Sequence, residues 1–351
     1  MQQHNLQEDK RIVITGCCGS VGSALVQRLL TDKSYKSCQV VGLDNNEDGI
    51  FQIEERWKAT ERGRFYIADV RDQMALQRRF ADADIVLHCA ALKHVYQCEK
   101  APSEAVNTNI LGVEAIIAAA QDAGVRRVLF TSSDKAVNPT NVMGTSKLMG
   151  ERLITAANAS SNSGAIFAST RFGNVLGSRG SVVEVFRRQI AVGGPVTLTS
   201  PEMTRFVMSI EQAVALLLGS VVLARGGEVF ITKMPVLSIM DLAYVMIESL
   251  APQYRHDPRN VKIQEIGSRP GEKLYEELMS SEETRRTVEL ADYFVVVPAF
   301  LPIYSRINYE YPNIKTQKVE RPYISSQEPT ISRAEIHSLL KTAGLLAVSE
   351  T

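Results

Sequence analysis

The chain has 351 residues, of which 45% are hydrophobic and 22% are charged, and its 39 basic and 39 acidic side chains leave no net charge at neutral pH. These proportions are ordinary for a soluble globular protein, and the balanced charge argues against a polyanion-binding surface, so we expect no nucleic-acid partner. The N-terminal residues carry no signal-peptide pattern, and the longest apolar run, at 213–224, is too short for a membrane span.

The first half of the chain alternates short apolar runs with amphipathic segments. Because nearly all-apolar strands that alternate with helices are typical of a parallel sheet covered on both faces, we predict a Rossmann-type, doubly wound α/β fold. Ligands of such sheets bind beyond the carboxyl ends of the strands. The predicted strands are 11–15, 39–43, 65–68, 85–89, 128–132 and 166–171, and the predicted helices are 21–30, 74–80, 104–120 and 141–157.

After residue 178 the pattern loosens, and glycine and proline become denser. We therefore predict a Rossmann domain with the catalytic segment at 1–178, a smaller C-terminal α/β substrate lobe at 179–300 that is partly interleaved with it, and a tail at 301–351. The elements predicted here are helices at 182–192, 211–223, 238–250 and near 332–340, and strands at 196–198, 228–232 and 261–265.

A glycine-rich loop, TGCCGSVG at 15–22, follows the first strand and opens the first helix. Glycines there permit a tight turn and a close approach of a pyrophosphate to the helix N-terminus, which predicts a dinucleotide site. Asp44 ends the second strand, where a carboxylate binds the adenosine ribose, and this favours NAD over NADP without excluding NADP. The predicted cofactor contacts of this half are Gly16, Gly19, Ser20, Val21, Gly22 and Asp44, with Asp69 and Val70 near the adenine.

The five cysteines are odd in number and lack metal-ligand spacing. This pattern predicts reduced thiols, a cytoplasmic location and no metal site. Cys17 and Cys18 are best interpreted as small side chains in a tight loop.

Several segments together resemble the extended short-chain dehydrogenase/reductases, and within them the UDP-N-acetylglucosamine 4,6-dehydratases of bacterial polysaccharide synthesis. The segments are TGCCGSVGSALV, HCAALKHV, NTNILG, SSDKAVNPTNVMGTSK, TRFGNVLGSRGSV and RPGEKLYEEL, and the likeness covers residues 11–300. The SSDKAVNP and RPGEKLYEEL runs discriminate most, because sugar epimerases share the glycine loop but not these runs.

The resemblance implies roles for the residues of the segment 131–147. Lys135 is expected to remove the proton from C5 of the sugar, and Asp134 to protonate the departing C6 hydroxyl. Ser133 is expected to bind near the C4 oxygen, and Lys147 to bind the nicotinamide ribose. A lysine base needs a lowered pKa, which burial beside the nicotinamide ring and Lys147 is expected to provide.

Met143 stands four residues before Lys147, where most of these enzymes have a tyrosine. By resemblance, methionine marks a branch that retains the configuration at C5, so we predict a C5-retaining dehydratase. The alternatives are a C5-inverting dehydratase, a UDP-hexosamine 4-epimerase, and a non-catalytic dinucleotide-binding regulator.

The remaining predicted contacts follow the fourth and sixth strands and the later motifs. Ala90, Ala91 and Lys93 are expected at the cofactor, and the sugar nucleotide is expected to contact Lys93, His94, Asn174, Arg205, Arg269 and Glu272. A planar guanidinium suits a diphosphate, which is the reason for the two arginines. The family also implies a homo-oligomer formed through the helices at 104–120 and 141–157.

Overall fold

A computed structural model of the protein describes residues 10–160, 164–267, 271–304 and 307–347. Its helices are α1 Ser20–Thr31, α2 Glu47–Trp57, α3 Gln73–Phe80, α4 Val95–Lys100, α5 Pro102–Val106, α6 Gly112–Asp122, α7 Val142–Ser160, α8 Val182–Ala191, α9 Ile210–Leu223, α10 Ile239–Leu250 and α11 Arg333–Thr342.

The strands include six that correspond to the predicted parallel set and eleven that follow them. They are β1 Arg11–Thr15, β2 Gln39–Asp44, β3 Gly63–Ile67, β4 Ile85–His88, β5 Arg127–Ser133, β6 Ile166–Phe172, β7 Asn174–Val175, β8 Val196–Leu198, β9 Thr204–Met208, β10 Val229–Thr232, β11 Val236–Ser238, β12 Ile263–Glu265, β13 Glu277–Met279, β14 Thr287–Leu290, β15 Tyr293–Val296, β16 Ile314–Thr316 and β17 Tyr323–Ile324.

The main sheet has ten strands in the order β16-β14-β15-β10-β6-β5-β4-β1-β2-β3. From β3 to β10 every pairing is parallel, and β15, β14 and β16 then add antiparallel strands at one edge. The order β3-β2-β1-β4-β5-β6 is that of the Rossmann fold, which confirms the predicted fold class.

Alternate side chains of the central strands enter two separate cores, as the period of a strand requires. Ile12 and Ile14 of β1 join a core with residues of α1, α2 and α9. Val13 between them joins the opposite core, with residues of α3, α6 and α7. Since both faces of these strands are buried, their sequences are continuous apolar runs rather than alternating ones.

Two local features of the first half differ from the prediction. The helix α2 was not predicted, because only Ile50 and Ile53 on it are buried and its apolar face is therefore narrow. The single helix expected at 104–120 is instead α5, a π-helical turn at Asn107–Leu111, and α6. Asn109 lies in this wider turn, and its side chain is buried.

A third core unites α8, α10, α11 and the short strands β8 and β9. The tail also contributes to the main sheet through β16, and Tyr311 donates a hydrogen bond to the buried Glu228 carboxylate over 2.8 Å. The main sheet thus takes strands from all three predicted segments, and the division at residues 178 and 300 stays a prediction.

Among the described helices, none combines the length and the apolar character that a membrane crossing requires. The face formed by α5, the π-helical turn and α7 exposes Val106, Leu111 and Met149. The homo-oligomer expected through this face stays a prediction.

Candidate active site

The glycine loop folds back on the ends of β2 and β4. The N–H of Gly16 donates to the Leu43 carbonyl over 2.7 Å, and Gly16 has a φ of +71°. A Cβ on Gly16 would lie 2.7 Å from the backbone N of Ala90, and a Cβ on Gly22 would overlap the Gly16 carbonyl. Gly19 gives α1 no side-chain cap, so the N–H groups at Ser20 and beyond are available to an anion.

Asp44 holds the loop from the end of β2. Its Oδ2 accepts a hydrogen bond from the N–H of Cys18 over 2.9 Å, and its Oδ1 accepts one from the N–H of Asn46 over 3.0 Å. The carboxylate is therefore fixed at the end of β2, and its contact with a ribose stays a prediction.

The two loop cysteines are free thiols whose sulfur atoms lie 3.9 Å apart. Their sulfurs and an Asp44 oxygen lie within 4.8 Å of one another, which is a possible three-ligand group. The pKa of Cys17 is raised by its hydrogen bond with Cys18 and by burial, so the thiolate that a metal needs is disfavoured. The predicted absence of a metal site stays a prediction for this group.

Asp69 and Val70 follow β3 at the same sheet edge. Asp69 forms an ion pair with Arg71 at 2.7 Å, and this hydrogen-bonded guanidinium lowers the pKa of Asp69. Val70 is buried and packs against Gly112 at the start of α6. The loop after β3 is thus anchored on both sides, and its contact with an adenine stays a prediction.

The segment that follows β4 contains Ala90 and Ala91 and is tied to its surroundings by buried polar side chains. Thr15 Oγ1 lies 2.7 Å from His88 Nδ1, and burial together with the charge of Lys147 lowers the pKa of His88 to about 3. Asn109 accepts from the N–H of Leu92 and donates to its carbonyl, both over 2.9 Å. A neutral histidine and the Asn109 side-chain amide therefore fix the segment that contains Ala90 and Ala91, whose contact with a cofactor stays a prediction.

The carboxyl end of β5 turns directly into a 3-10 turn at Asp134–Ala136 that carries the predicted catalytic groups. Ser133 Oγ donates to Asp134 Oδ1 over 2.7 Å and accepts from the N–H of Lys135 over 3.2 Å. Lys135 Nζ donates to the same Asp134 oxygen over 3.0 Å. Asp134 is 1% exposed, and its Oδ2 has no hydrogen-bond partner in the part of the chain that the structure describes.

Lys135 has a second carboxylate partner, Glu276, whose Oε1 lies 3.1 Å from Nζ. Burial alone would lower the pKa of Lys135, but the Asp134 and Glu276 carboxylates outweigh burial and the charge of Arg205, and they raise it. The expected fall of the Lys135 pKa toward neutrality is therefore wrong, because the charged side chains of the protein itself raise this pKa. The positive charge of Arg205 favours such a fall, but the two carboxylates have the larger effect.

Met143 and Lys147 lie on α7, one turn apart. The Met143 side chain is buried in a small cluster with Cys98 and Ala105. Lys147 is 5% exposed, and its Nζ donates to the Thr131 carbonyl over 2.9 Å and lies 4.6 Å from the centre of the Phe130 ring. Burial lowers the pKa of Lys147 to about 8, so its charge is easily lost.

Lys93 and His94 meet the loop that follows β7. Lys93 Nζ donates to the Arg179 carbonyl over 2.7 Å, and a Cβ on Gly180 would lie 2.8 Å from the His94 ring. Burial lowers the pKa of Lys93, and the charge of Arg179 adds to this effect. The Arg179 guanidinium in turn donates to the Cys18 carbonyl of the glycine loop.

The other predicted substrate residues are only partly brought together. Asn174 begins β7, and Glu272 is exposed and accepts a hydrogen bond from Thr199 over 3.0 Å. Arg205 is buried, and its guanidinium donates to the carbonyls of Thr204, Lys273 and Leu274. Arg269 lies outside the described residues, and the diphosphate role of both arginines stays a prediction.

Two residues at this site were missed from the sequence. Glu276 lies in the RPGEKLYEEL run, and Arg179 lies in TRFGNVLGSRGSV, but neither was singled out. The sequence does contain a signal for Glu276. Two glutamates directly precede the apolar pair Leu278-Met279, which suggests that they are buried, and buried carboxylates need cationic partners. Arg179 carries no comparable signal, since an arginine between glycines fits an exposed loop equally well.

The fold and the site define a Rossmann-type α/β protein with acidic and basic side chains at the carboxyl end of β5. The family model described as polysaccharide biosynthesis protein matches residues 12–298. The chain belongs to this family.

Curated relatives align with most of the chain. An uncharacterized membrane protein of Methanocaldococcus jannaschii is 48% identical over 295 residues, covering 84% of this chain and 87% of the relative. A UDP-N-acetylglucosamine 4,6-dehydratase (inverting) of Campylobacter jejuni is 39% identical over 292 residues, covering 83% of each chain. A UDP-glucose 4-epimerase of Rickettsia canadensis is 38% identical over 290 residues, covering 82% of each.

Solved structures share the fold. The structure of Pen from Bacillus thuringiensis is 37% identical, has a TM-score of 0.88, and covers 97% of this chain and 100% of its own. The dTDP-glucose 4,6-dehydratase DesIV from Streptomyces venezuelae, solved with NAD bound, is 23% identical with a TM-score of 0.66, covering 75% of this chain and 86% of its own. At that identity DesIV supports the fold alone.

Proposed function

We propose that this protein is a nucleotide-sugar 4,6-dehydratase that acts on UDP-N-acetylglucosamine with NAD as its cofactor. The observation that carries the proposal is the contact between Lys135 and Asp134 beside Ser133, at the carboxyl end of β5. An amine and a carboxyl group in contact supply the base and the acid that an elimination of water needs. The name of the Campylobacter relative supports the same reaction class.

The residues of the glycine loop fit a dinucleotide. A side chain at Gly16 or Gly22 would meet backbone atoms, so these glycines allow the close packing and tight turn that a dinucleotide-binding loop requires. Asp44 is held by two backbone N–H groups in position for the ribose, and Lys147 offers a cation for the second ribose. When bound, NAD supplies reversible hydride acceptance, from C4 of the sugar and back to C6.

The chain's own residues then handle protons. Ser133 orients the C4 oxygen, and Asp134 receives the C4 hydroxyl proton, a task that the thioether of Met143 cannot perform. Asp134 gives this proton to the C6 hydroxyl, which leaves as water. Lys135 removes the C5 proton, and the charge of Lys147 stabilises the electron-rich sugar during these steps.

The configuration at C5 has two candidate outcomes. The methionine at position 143 resembles the C5-retaining branch of the family, and it is the reason to expect that the configuration at C5 is retained. The names of the Campylobacter relatives favour the inverting alternative, so the finer prediction of retention has no support from them. A 4-epimerase is a further candidate, because the Rickettsia relatives carry that name.

One experiment separates these outcomes. The purified protein is incubated with NAD and UDP-N-acetylglucosamine in deuterated water, and the product is followed by proton NMR. A dehydratase yields a C6 methyl group and deuterium at C5, and the ring couplings report whether C5 is retained or inverted. A product that keeps its C6 hydroxymethyl group would exclude the dehydratase and favour an epimerase.

Variants connect the activity to the site. Lys135→Ala is expected to lower turnover by at least about a thousandfold while NAD binding persists, because the base is lost and the glycine loop is untouched. Lys100→Ala, which removes an exposed lysine of α4, is the matched control and should keep turnover. A wild-type protein that binds NAD but turns over no UDP-sugar would favour the non-catalytic regulator.

A further inference from the structure

Glu276 is a buried carboxylate without a role in the chemistry assigned to Asp134 and Lys135. It is 2% exposed, and its Oε1 lies 3.1 Å from Lys135 Nζ and 3.6 Å from Arg205 Nε. Its Oε2 is buried and has no hydrogen-bond partner within the described ranges of the chain. A buried carboxylate oxygen without a donor costs free energy, which makes it a candidate for a functional group.

Lys135 and the three charged side chains around it balance one another in charge. Asp134 faces it from the same turn, Glu276 from the segment before β13, and Arg205 from β9. With all four groups ionised, two cations balance two carboxylates. A lysine proton lost to solvent would leave one buried negative charge in excess, whereas a transfer inside the set leaves the net charge unchanged.

A base for C5 must be neutral before it can accept a proton. The proton that Lys135 carries therefore needs an acceptor in direct contact, and its two neighbours are Asp134 and Glu276. Asp134 is engaged with Ser133 and with the leaving hydroxyl under the proposed function. Glu276 is free of such tasks, and burial raises its pKa, so a proton on it is less unfavourable than on an exposed glutamate.

We propose that Glu276 is the positioning residue that takes a proton from Lys135 and so prepares this lysine to act as the base for C5. This inference rests on the proposed function and deepens it. In the step, an N–H bond of Lys135 breaks and an O–H bond forms on Oε1 of Glu276, with no change in the net charge of the pair. Once Lys135 has returned the C5 proton to the sugar, Glu276 returns the proton it holds.

The two neighbouring glutamates, Glu276 and Glu277, contact different side chains. Glu277 accepts a hydrogen bond from Asn138 over 2.7 Å and lies 3.8 Å from Lys273. Glu277 is also buried, at 8% exposed against 2% for Glu276, and its hydrogen bond and ion pair in the described chain are with Asn138 and Lys273 rather than Lys135. Glu277→Gln is therefore a matched control for Glu276→Gln, because each variant removes one buried carboxylate charge and keeps the shape.

The test compares kcat of each variant with wild type from about pH 6 to about pH 8. In Glu276→Gln the proton acceptor is gone, and Asp134 still raises the pKa of Lys135, so this lysine must lose its proton to solvent and the ratio of variant to wild-type kcat should rise with pH, by up to about tenfold for each pH unit. At about pH 6 we expect kcat of Glu276→Gln to be at least about a hundredfold lower than that of the wild type. KM should change less than about threefold. The ratio for Glu277→Gln should not vary with pH.

A loss in Glu276→Gln that is the same at every pH would overturn the inference and indicate a structural role. Full activity in this variant would overturn it as well. A second readout does not require turnover: infrared difference spectra on adding NAD and UDP-N-acetylglucosamine should contain a protonated carboxyl band that Glu276→Gln lacks. A protein that forms the band without dehydrating the sugar contradicts the proposed function alone, and a dehydratase without the band contradicts this inference alone.

Discussion

Ser325 holds the backbone of Glu276 from both sides. The Glu276 N–H donates to Ser325 Oγ over 2.9 Å, and the Ser325 N–H donates to the Glu276 carbonyl over 2.9 Å. Ser325 is fully buried, and its hydroxyl also lies 2.9 Å from Thr204 Oγ1. A residue in the predicted tail thus fixes a carboxylate that contacts the candidate base.

Ser325→Ala should therefore weaken both the fold and the site. The variant leaves a buried N–H without its acceptor, which costs about 1–3 kcal/mol in the free energy of unfolding. We expect kcat to fall because Glu276 loses its fixed position, while NAD affinity is unchanged. Denaturant unfolding and steady-state kinetics measure the two effects, and Ser326→Ala at the exposed neighbouring serine is the control. Equal effects in the two variants would contradict the assignment.

Gly16→Ala should abolish NAD binding. Its φ of +71° disfavours a side chain, and the added Cβ would lie 2.7 Å from a backbone atom of Ala90. We expect affinity for NAD, measured by calorimetry, to drop at least about a hundredfold, since the loop must move away from the pyrophosphate position. Gly124→Ala has a φ of +69° with open space around it, so it isolates the backbone strain of about 1–2 kcal/mol and should bind NAD normally.

The fall of wild-type kcat at alkaline pH, which is the alkaline limb of its pH profile, should reflect the deprotonation of Lys147. Its pKa of about 8 means that its charge is present below that pH and lost above it. If this charge stabilises the reacting sugar, kcat falls as the pH rises through about 8. Lys147→Arg keeps the charge to far higher pH, so its lower activity should lack this limb. An identical limb in the arginine variant would assign the titration to another group.

Acid stability should depend on Glu283. This carboxylate and Glu151, which is a residue of α7, both pair with the buried Arg171, at 2.7 and 2.8 Å. Despite its burial, the charge of Arg171 lowers the pKa of Glu283 from 4.5 to about 2. A lowered carboxyl pKa adds stability above pH 4.5 that is lost as the pH falls toward 2.

The loss amounts to about 3 kcal/mol in the free energy of unfolding, and denaturant titrations between these pH values measure it. Glu283→Gln should be less stable at neutral pH and should lack most of the pH dependence. Glu282→Gln is the control, because its side chain is 65% exposed and pairs only weakly with Arg286. A pH dependence that survives in Glu283→Gln would show that another carboxylate is responsible.

The sequence predicts β1, β2, β4, β5 and β6 well, because their apolar runs are buried on both faces, whereas for the edge strand β3, in which only Phe65 is buried, the predicted bounds are shifted by one to two residues. It does not predict the short strands β14 and β16, since three or four residues give no reliable period. At the site, Gly16, Asp44 and Asp134 were predictable from their positions after strands. For Glu276 the two glutamates before an apolar pair indicate a buried carboxylate, but its partner was not predictable, because Lys135 lies on a segment about 140 residues away in the sequence.

The Arg179 loop has a consequence for how the protein exchanges its dinucleotide. Arg179 reaches the Cys18 carbonyl, its N–H donates to Ser20 Oγ over 3.2 Å, and Lys93 binds its carbonyl. These contacts connect the loop that follows β7 to the glycine loop and to the segment that follows β4. A dehydratase restores its NAD in every cycle, so such a bridge has no need to open between turnovers. We therefore expect the dinucleotide to remain through many catalytic cycles and to copurify with the protein.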